Sequence, residues 1–432
     1  MVGLLRPLTA LFISAGIALC GNGLETILLP FRADLEGFTG LEIGLIGSAY
    51  WLGVTIGCFV CPGVVARVGH ARAFTVFTAI ATLSPLLEAI WQAPPFWWIM
   101  RGLAGVCFSG ILMVLESWIN SAAPNAQRGR VLGAYTITNF GGIVAGQQLL
   151  GLANPAGFQL FSISAMLFSL AAVPLSLTLT PAPSVPRRPM PRPLWLWKLS
   201  PAAVIGCIGG GLANGAFWAL GPIYAKTSGL PASLVAAFMT CATLGGALAQ
   251  WPVGKWSDLS DRRSVLATIS LSASFLAVLL FFAAAQQGLG KLVLAFLFGA
   301  SALPVYWVSI AHANDYVEAS ESVDVSSNLL LIFAVSAIAG PVLGSLTASI
   351  AGSGGVFLYT AIVHVLLAGF VVYRTKMRAP IPLPDRDPFV PMPEKSSQSV
   401  FELDPRAGSG NSEAKTPAPG LRLVHTRKKD ES

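Results

Sequence analysis

Charged residues are scarce in this chain, and that scarcity excludes an ordinary soluble domain. Only 11% of its 432 residues are Asp, Glu, Lys or Arg, whereas soluble domains carry roughly 25%. Hydrophobic residues make up 54%, and the mean hydropathy is +0.68. A chain so poor in charge and so rich in apolar residues is suited to hydrocarbon, so the sequence predicts a protein embedded in a lipid bilayer.

Groups that carry common enzyme chemistry are also few. The chain has four histidines and six cysteines, and every cysteine falls in an apolar stretch, where a thiol behaves as a small hydrophobe. Cys58 and Cys61 have a redox or metal-binding spacing, but no second pair or histidine cluster accompanies them, which favours packing. No Walker-type phosphate loop is present, which argues against an ATP-driven pump. We therefore expect neither enzyme activity nor a metal or cofactor.

What the chain does contain is a series of twelve apolar stretches, each about long enough to span roughly 30 Å of hydrocarbon as a helix. The first is longer than the apolar part of a signal peptide and is expected to stay attached. The predicted spans are 8–31, 41–66, 73–92, 95–119, 131–152, 158–180, 200–225, 233–256, 264–285, 290–311, 326–349 and 355–373.

Positive charge is distributed unequally between alternate loops. Among residues 1–378, fifteen Lys and Arg residues lie in the loops and helix ends of one side, against three, Arg32, Lys226 and Lys291, on the other. Because short positive loops stay in the cytoplasm, both termini are predicted to be cytoplasmic in an inner-membrane protein. The net charge of +7 follows from this asymmetry and a basic tail, so no nucleic-acid partner is expected.

The twelve segments divide into two sets of six. A Pro- and Arg-rich stretch, 181–199, is interpreted as a cytoplasmic linker between bundles at 1–180 and 200–378. A fixed offset of 192 residues relates the halves, since Asn22-Gly23 recurs as Asn214-Gly215 and Pro30 as Pro222. Six helices per repeat make the repeats parallel. Residues 379–432 lack an apolar period and are predicted to be a disordered cytoplasmic tail.

The stretch GKWSDLSDRR, residues 254–263, is the most specific motif. It resembles the loop signature of the major facilitator superfamily, in which Gly254, Asp258, Arg262 and Arg263 match. The equivalent first-half loop is degenerate and keeps only Arg67 and Gly69. Arg101 and Gly105 match a further Arg-x-x-x-Gly motif of that family in helix four. The resemblance implies an all-α polytopic membrane protein of twelve transmembrane helices in two parallel six-helix repeats.

Two opposite charges lie inside apolar segments. A charge at the centre of a spanning helix costs about 2.5 to 3.5 kcal/mol on insertion scales and needs a partner, water or a proton. Glu25 lies about 9 Å from the outer end of helix one, and Arg101 has a similar depth in helix four. The resemblance implies that these helices line one cavity, so the side chains are expected to meet. Glu25 then either carries a proton, holds a static ion pair or faces outer water.

Amides at similar depths are candidates for contact with a solute. Asn22 shares a helix face with Glu25, Asn214 is its counterpart in the second repeat, and Gln147 lies in helix five. Contact with the solute and hydrogen bonding between helices both remain open for them. Glu88, near the outer end of helix three, is expected to be solvated at the interface.

Charges at the cytoplasmic ends predict a gate in each half. In the first half, Glu116 is expected to pair with an arginine of the neighbouring loops, namely Arg67, Arg72, Arg128 or Arg130. In the second half, the loop signature faces an acidic loop that contains Asp315, Glu318, Glu321 and Asp324.

The function predicted from these features is secondary active transport of a small organic solute by alternating access. We expect a proton-coupled, monomeric permease, with efflux slightly favoured over uptake and the substrate unidentified. The alternative is a membrane sensor or scaffold that does not transport and signals through its cytoplasmic tail.

Overall fold

The computed structural model of this protein describes residues 8–177, 183–184, 190–285, 288–377, 379–393 and 395–405. All long elements in these residues are helices. The structure confirms the all-α polytopic fold. Twelve long helices follow one another: α1 Thr9–Leu35, α2 Gly40–Val68, α3 His70–Ile90, α4 Pro94–Ala122, α5 Arg128–Gln148, α6 Gln159–Ser176, α7 Pro201–Thr227, α8 Ala232–Leu259, α9 Arg262–Phe282, α10 Gly290–Asn314, α11 Ser322–Ala351 and α12 Gly355–Met377.

Shorter elements connect or follow these helices. α10 contains a break at Leu303, ahead of Pro304. The described part of the predicted linker contains one short helix. The short elements are the linker helix Pro193–Leu199 and the 3-10 turns Asn125–Gln127, Leu149–Leu152, Ala283–Ala285, Leu383–Asp385 and Gln398–Leu403.

Each predicted apolar stretch corresponds to one long helix. Several helices extend beyond the predicted limits, because the helix continues past the apolar residues; α2 and α4 have 29 residues each and α11 has 30. Eleven of the described helices are long and apolar enough to cross a membrane. The remaining one, α5, is less apolar because it carries Asn139, Gln147 and Gln148.

Local signals explain the ends of the first helices. Thr39 accepts a hydrogen bond from the Glu42 backbone N–H, and the Glu42 carboxylate accepts one from Thr39 N–H, which forms a capping box at the start of α2. Gly69, with φ +83°, joins α2 directly to α3. This left-handed conformation favours glycine, so the turn can be tight.

The same close helix contacts occur in both halves. A Cβ atom at Gly23 of α1 would lie 2.5 Å from the Ile143 carbonyl oxygen of α5, and one at Gly215 of α7 would lie 2.6 Å from that of Ala337 in α11. These glycines therefore allow the helix backbones to approach closely. The offset of 192 residues that relates Gly23 to Gly215 in the sequence thus also relates their packing.

The two ends of the bundle differ. At one end, which we call the closed end, the halves bond directly: Lys226 of α7 pairs with Asp34 of α1, and Gln148 of α5 donates to Thr240 of α8 at 2.7 Å. At the opposite end, which we call the tail end, the segment after α12 contacts both halves.

The prediction of a disordered tail from residue 379 is wrong for residues 379–393 and 395–405. Met392, Val400, Phe401 and Leu403 are buried, and Gln398–Leu403 forms a 3-10 turn against α4 and α11. The segment is short and largely extended, so it has no helical apolar period, and its burial depends on the groove that receives it. Residues 406–432 lie outside the described chain.

Candidate functional site

A central cavity lies between the two halves. Its first chamber is lined by aromatic side chains of α2, α4, α10 and α11. A second chamber extends towards Arg101 and Pro30. Tyr50, Phe333 and Lys395 line both chambers. The two chambers are therefore adjacent, mostly apolar, and have a few polar groups that face into them.

Glu25 and Arg101 meet beside this cavity. Glu25 Oε2 lies 2.9 Å from Arg101 Nη1, and both side chains are almost completely buried. The Arg101 guanidinium also lies 4.3 Å from the centre of the Tyr50 ring, a cation–π arrangement. The matched depths of the two charges in the sequence thus correspond to a contact between α1 and α4.

Glu88 joins this buried charge cluster, and its predicted solvation at the interface is wrong. Its side chain has 0% exposure, its neighbour Ser84 donates to it at 3.3 Å, and it interacts electrostatically with Glu25 and Arg101. The turn between α3 and α4 is only three residues long, so α3 returns directly beside α4. Two buried carboxyl groups therefore lie near one guanidinium, which forms its ion pair with Glu25.

Thr26 lines the second chamber, and Asn22 contacts Lys395, which lines both chambers. The Asn22 amide donates to the Tyr50 hydroxyl at 3.2 Å, and the Thr26 hydroxyl donates to the Asn22 backbone carbonyl at 2.7 Å. The Thr26 donor and one of the two Asn22 amide donors are thus engaged within the protein. Asn22 Oδ1 and Thr26 Oγ1 accept from the Lys395 ammonium, Thr26 at 3.2 Å.

The other two predicted amides have different positions. Asn214 lines the first chamber from α7. Gln147 instead bridges α5 and α8, donating to Thr243 at 3.1 Å and accepting from Thr240 at 3.1 Å. Contact with the solute and hydrogen bonding between helices are the two roles predicted for Gln147. The structure supports the second, because Gln147 bonds to α8 and does not line the described cavity.

The second-half loop signature forms a charge cluster at the tail end. Arg262 lies 2.7 Å from Asp315 and 3.1 Å from Asp258, while Arg263 lies 2.8 Å from Asp261. Burial raises the pKa of Asp315, although Arg262 opposes the shift. Burial also acts to raise that of Asp261, but hydrogen bonds from Arg263 outweigh it and leave the Asp261 pKa lowered.

The same cluster holds the tail. Gly254 packs against the Phe389 ring, Asp258 accepts from Phe389 N–H at 2.9 Å, and Arg262 donates to the Asp387 carbonyl. The loop motif at residues 254–263 therefore binds part of the C-terminal tail, which the sequence predicts to be disordered.

The predicted first-half ion pair is not formed. Glu116 accepts from the Tyr135 hydroxyl at 2.9 Å and from Ser397 N–H of the tail at 2.8 Å. Arg128 donates to the Glu402 carbonyl at 3.1 Å, and among the described residues no ion pair joins Glu116 to an arginine. Glu116 is buried inside the bundle, whereas Arg67, Gly69 and Arg130 are exposed, which explains the correction.

Metal ligands do not converge within the part of the chain that the structure describes: no three side chains of His, Cys, Asp or Glu form a group there that could hold a metal ion. The chemistry of the site is that of buried charge, hydrogen-bond acceptors and aromatic faces.

A cavity between two halves of a membrane-spanning bundle, closed at one end, defines a membrane transporter. The chain belongs to the Major Facilitator Superfamily, whose sequence profile matches residues 11–311 and 203–405, and this confirms the resemblance found in the sequence. An uncharacterized MFS-type transporter of Yersinia pestis (strain Pestoides F) is 26% identical over 350 residues, which cover 76% of this chain and 87% of the relative.

Two solved structures share the fold at low sequence identity. The nucleoside transporter NupG superposes with a TM-score of 0.73 at 14% identity, covering 86% of this chain and all of that one. A bacterial homologue of the human lysosomal transporter Spinster, in an inward-facing and unoccupied conformation, gives 0.71 at 14% identity, covering 89% of this chain and 98% of that one.

Proposed function

We propose that this protein is a secondary active transporter that moves a small organic solute by alternating access. The observation that carries the proposal is the cavity between the halves, with Glu25 and Arg101 paired beside it. In such a mechanism the two bundles rock around a central site. The closed-end contacts and the tail-filled opposite end suit an inward-facing arrangement of these bundles.

The proposed class of solute, small organic compounds, agrees with the substrates named for two proteins of similar fold. NupG is described as a nucleoside transporter, and a further fold neighbour, with a TM-score of 0.52, is a fucose:proton symporter of Escherichia coli. Sites for small organic solutes are mostly apolar with a few polar groups that fix orientation, as this cavity is. Efflux remains slightly favoured over uptake. The positive loops support an inner-membrane location with both termini in the cytoplasm, and we propose a monomer.

Proton coupling is proposed from the buried charge cluster. Glu25, Glu88 and Arg101 would carry a net negative charge if both acids were ionised and the Lys395 ammonium, which interacts with Glu25, had left the cavity, and an uncompensated charge at this depth is costly. A proton on one of the two carboxyls removes that cost. Any motion that separates Glu25 from Arg101 changes which form is favoured, so proton release would accompany the opening of the cavity.

Glu25→Gln is expected to uncouple transport from the proton gradient, because glutamine cannot release a proton. The measurement is flux in proteoliposomes under an imposed pH gradient, with a substrate identified by a thermal-shift screen of metabolites and drugs. Glu318→Gln, on an exposed loop residue, is the matched control and should respond as the wild type does. A wild-type response of Glu25→Gln to the gradient would rule out the proton role.

The charge cluster at Asp258, Arg262 and Asp315 is proposed as part of a cytoplasmic gate. Asp258→Asn is expected to change stability by less than about 1 kcal/mol, since the Asp258 carboxylate is partly exposed, yet to alter transport rate. Proteoliposome flux and unfolding of the same preparation measure the two effects separately. If both expression and rate match the wild type, the cluster is not a gate.

The rival function, a sensor that signals through a free tail, has less support. Met392 and the turn Gln398–Leu403 are buried, and Ser397 donates to Glu116, so a partner of this part of the tail would first have to extract it. A transporter whose tail is removed should retain flux, whereas a scaffold should lose its output.

A further inference from the structure

The tail is bonded to both halves at once. From the first half, Asn139 of α5 exchanges hydrogen bonds with the Lys395 backbone, with N–O distances of 2.6 and 3.2 Å. From the second, Gln250 of α8 donates to the Met392 carbonyl at 2.7 Å. These polar side chains point between the bundles and satisfy backbone groups that would otherwise be unpaired. The tail thus reaches the central cavity with its backbone held.

Lys395 places a cation in that cavity. Its ammonium contacts Asn22 Oδ1 and Thr26 Oγ1 and lies 5.9 Å from the ring centres of Tyr50, Phe108 and Trp218. Glu25 is close enough to attract it electrostatically. An ammonium removed from water needs such acceptors and ring faces.

The groups around the Lys395 ammonium favour a hydrogen-bond donor over a hydrogen-bond acceptor. The Thr26 hydroxyl proton and one of the two Asn22 amide N–H groups are committed to partners within the protein, and the oxygens of both side chains face the Lys395 ammonium. An ammonium offers several N–H donors, and the negative faces of three rings add attraction that a neutral group lacks. A neutral alcohol could donate only one hydrogen bond here.

We propose that Asn22, Thr26, Tyr50, Phe108 and Trp218 form a subsite for the ammonium group of the transported solute, and that Lys395 is its tethered competitor. The solute class is an amine attached to an apolar body, because the rest of the cavity is lined by Trp51, Trp307 and Phe333. The inference rests on the proposed transport function, and it implies that a docked tail and a bound solute exclude each other.

Because Lys395 is attached to the same chain, its effective concentration in the cavity determines how strongly it competes with a free amine. A flexible segment attached to the same chain presents its ligand at an effective concentration of the order of millimolar. A free amine must displace Lys395 before it binds. Removing the Lys395 ammonium should therefore increase the apparent affinity for an amine by at least about tenfold.

The test measures binding of 2-phenylethylamine and its neutral analogue 2-phenylethanol to the full-length protein in detergent, by calorimetry. Lys395→Ala should bind the amine at least about tenfold more tightly than the wild type, and should bind the alcohol no more tightly than the wild type does. Lys376→Ala, at an exposed lysine near the end of α12, should match the wild type. Thr26→Val in the Lys395→Ala background keeps the side-chain shape and should weaken amine binding.

Three results would overturn the proposal: equal binding of amine and alcohol to Lys395→Ala, no gain over the wild type, or no effect of Thr26→Val. A single peak in size-exclusion chromatography shows that each variant is folded. Binding is measured without a gradient or flux. Amine binding without flux in proteoliposomes would therefore contradict the transporter proposal, whereas flux of other solutes without amine binding would contradict the subsite alone.

Discussion

Replacing Arg101 by methionine is expected to destabilise the protein by about 3 to 5 kcal/mol, because it leaves a buried carboxylate without its cation. Nη1 of the Arg101 guanidinium lies 2.9 Å from Oε2 of Glu25. Glu88 is buried in the same cluster. Methionine retains the apolar contacts of the arginine stem, so the loss measures charge and not packing. Transport should also be lost, since the coupling between Glu25 and Arg101 is absent.

Unfolding of the purified protein by denaturant measures this change. Arg130→Met is the matched control, since Arg130 is exposed at the start of α5, and should fall within about 0.5 kcal/mol of the wild type. The double variant Glu25→Gln with Arg101→Met should regain much of the lost stability without regaining transport. Equal stability of Arg101→Met and Arg130→Met would show that the ion pair does not hold α1 against α4.

Gly146→Leu is expected to cost about 3 kcal/mol or more, or to prevent assembly of the first half. A Cβ atom at Gly146 would overlap the Cys20 carbonyl oxygen of α1. The Cβ position is fixed by the α5 backbone and the oxygen belongs to the α1 backbone, so no side-chain rotation relieves the overlap. α1 and α5 would have to separate, and the cavity wall that carries Asn22 and Glu25 would move with α1.

A second glycine of the same helix supplies the control. Gly141 is exposed and would have open space around a Cβ atom, so Gly141→Leu should be neutral or stabilising by up to about 1 kcal/mol, since glycine is unfavourable inside a helix. Thermal unfolding and the yield of monodisperse protein compare the two variants. Similar behaviour of both would mean that close approach of α1 and α5 is not needed for folding.

Much of the fold follows from local sequence. Apolar stretches of about 20 residues locate all twelve long helices, because a helix is the way for such a segment to satisfy its backbone in hydrocarbon. The meeting of Glu25 and Arg101 is predicted from their matched depths together with the family resemblance, which implies that α1 and α4 line one cavity. Charges inside spanning helices are few, so one at a given depth has few candidate partners. The 192-residue offset indicated which positions share the same packing.

Side-chain direction was less predictable. Gln147 and Asn22 lie at comparable depths, yet Gln147 bonds to α8 whereas Asn22 contacts Lys395, which lines the cavity. The difference arises because rotation about the helix axis depends on which neighbour each helix packs against. The partners of Glu116 were unpredictable for the same reason. The arginines nearest to it in sequence lie at the start of α5, while Tyr135 and Ser397 meet it inside the bundle.

The sequence by itself determined the membrane class, the helix positions and the repeat, because each depends on hydrophobicity and charge along short segments. Only the tertiary structure decided that Glu25 and Arg101 form an ion pair, that Glu88 is buried near it, and that Met392 and the turn Gln398–Leu403 are buried between the halves. The physical reason is that the tail has no strong local preference of its own. Its order comes from Asn139, Gln250, Asp258 and Glu116, which come together only when both bundles are assembled.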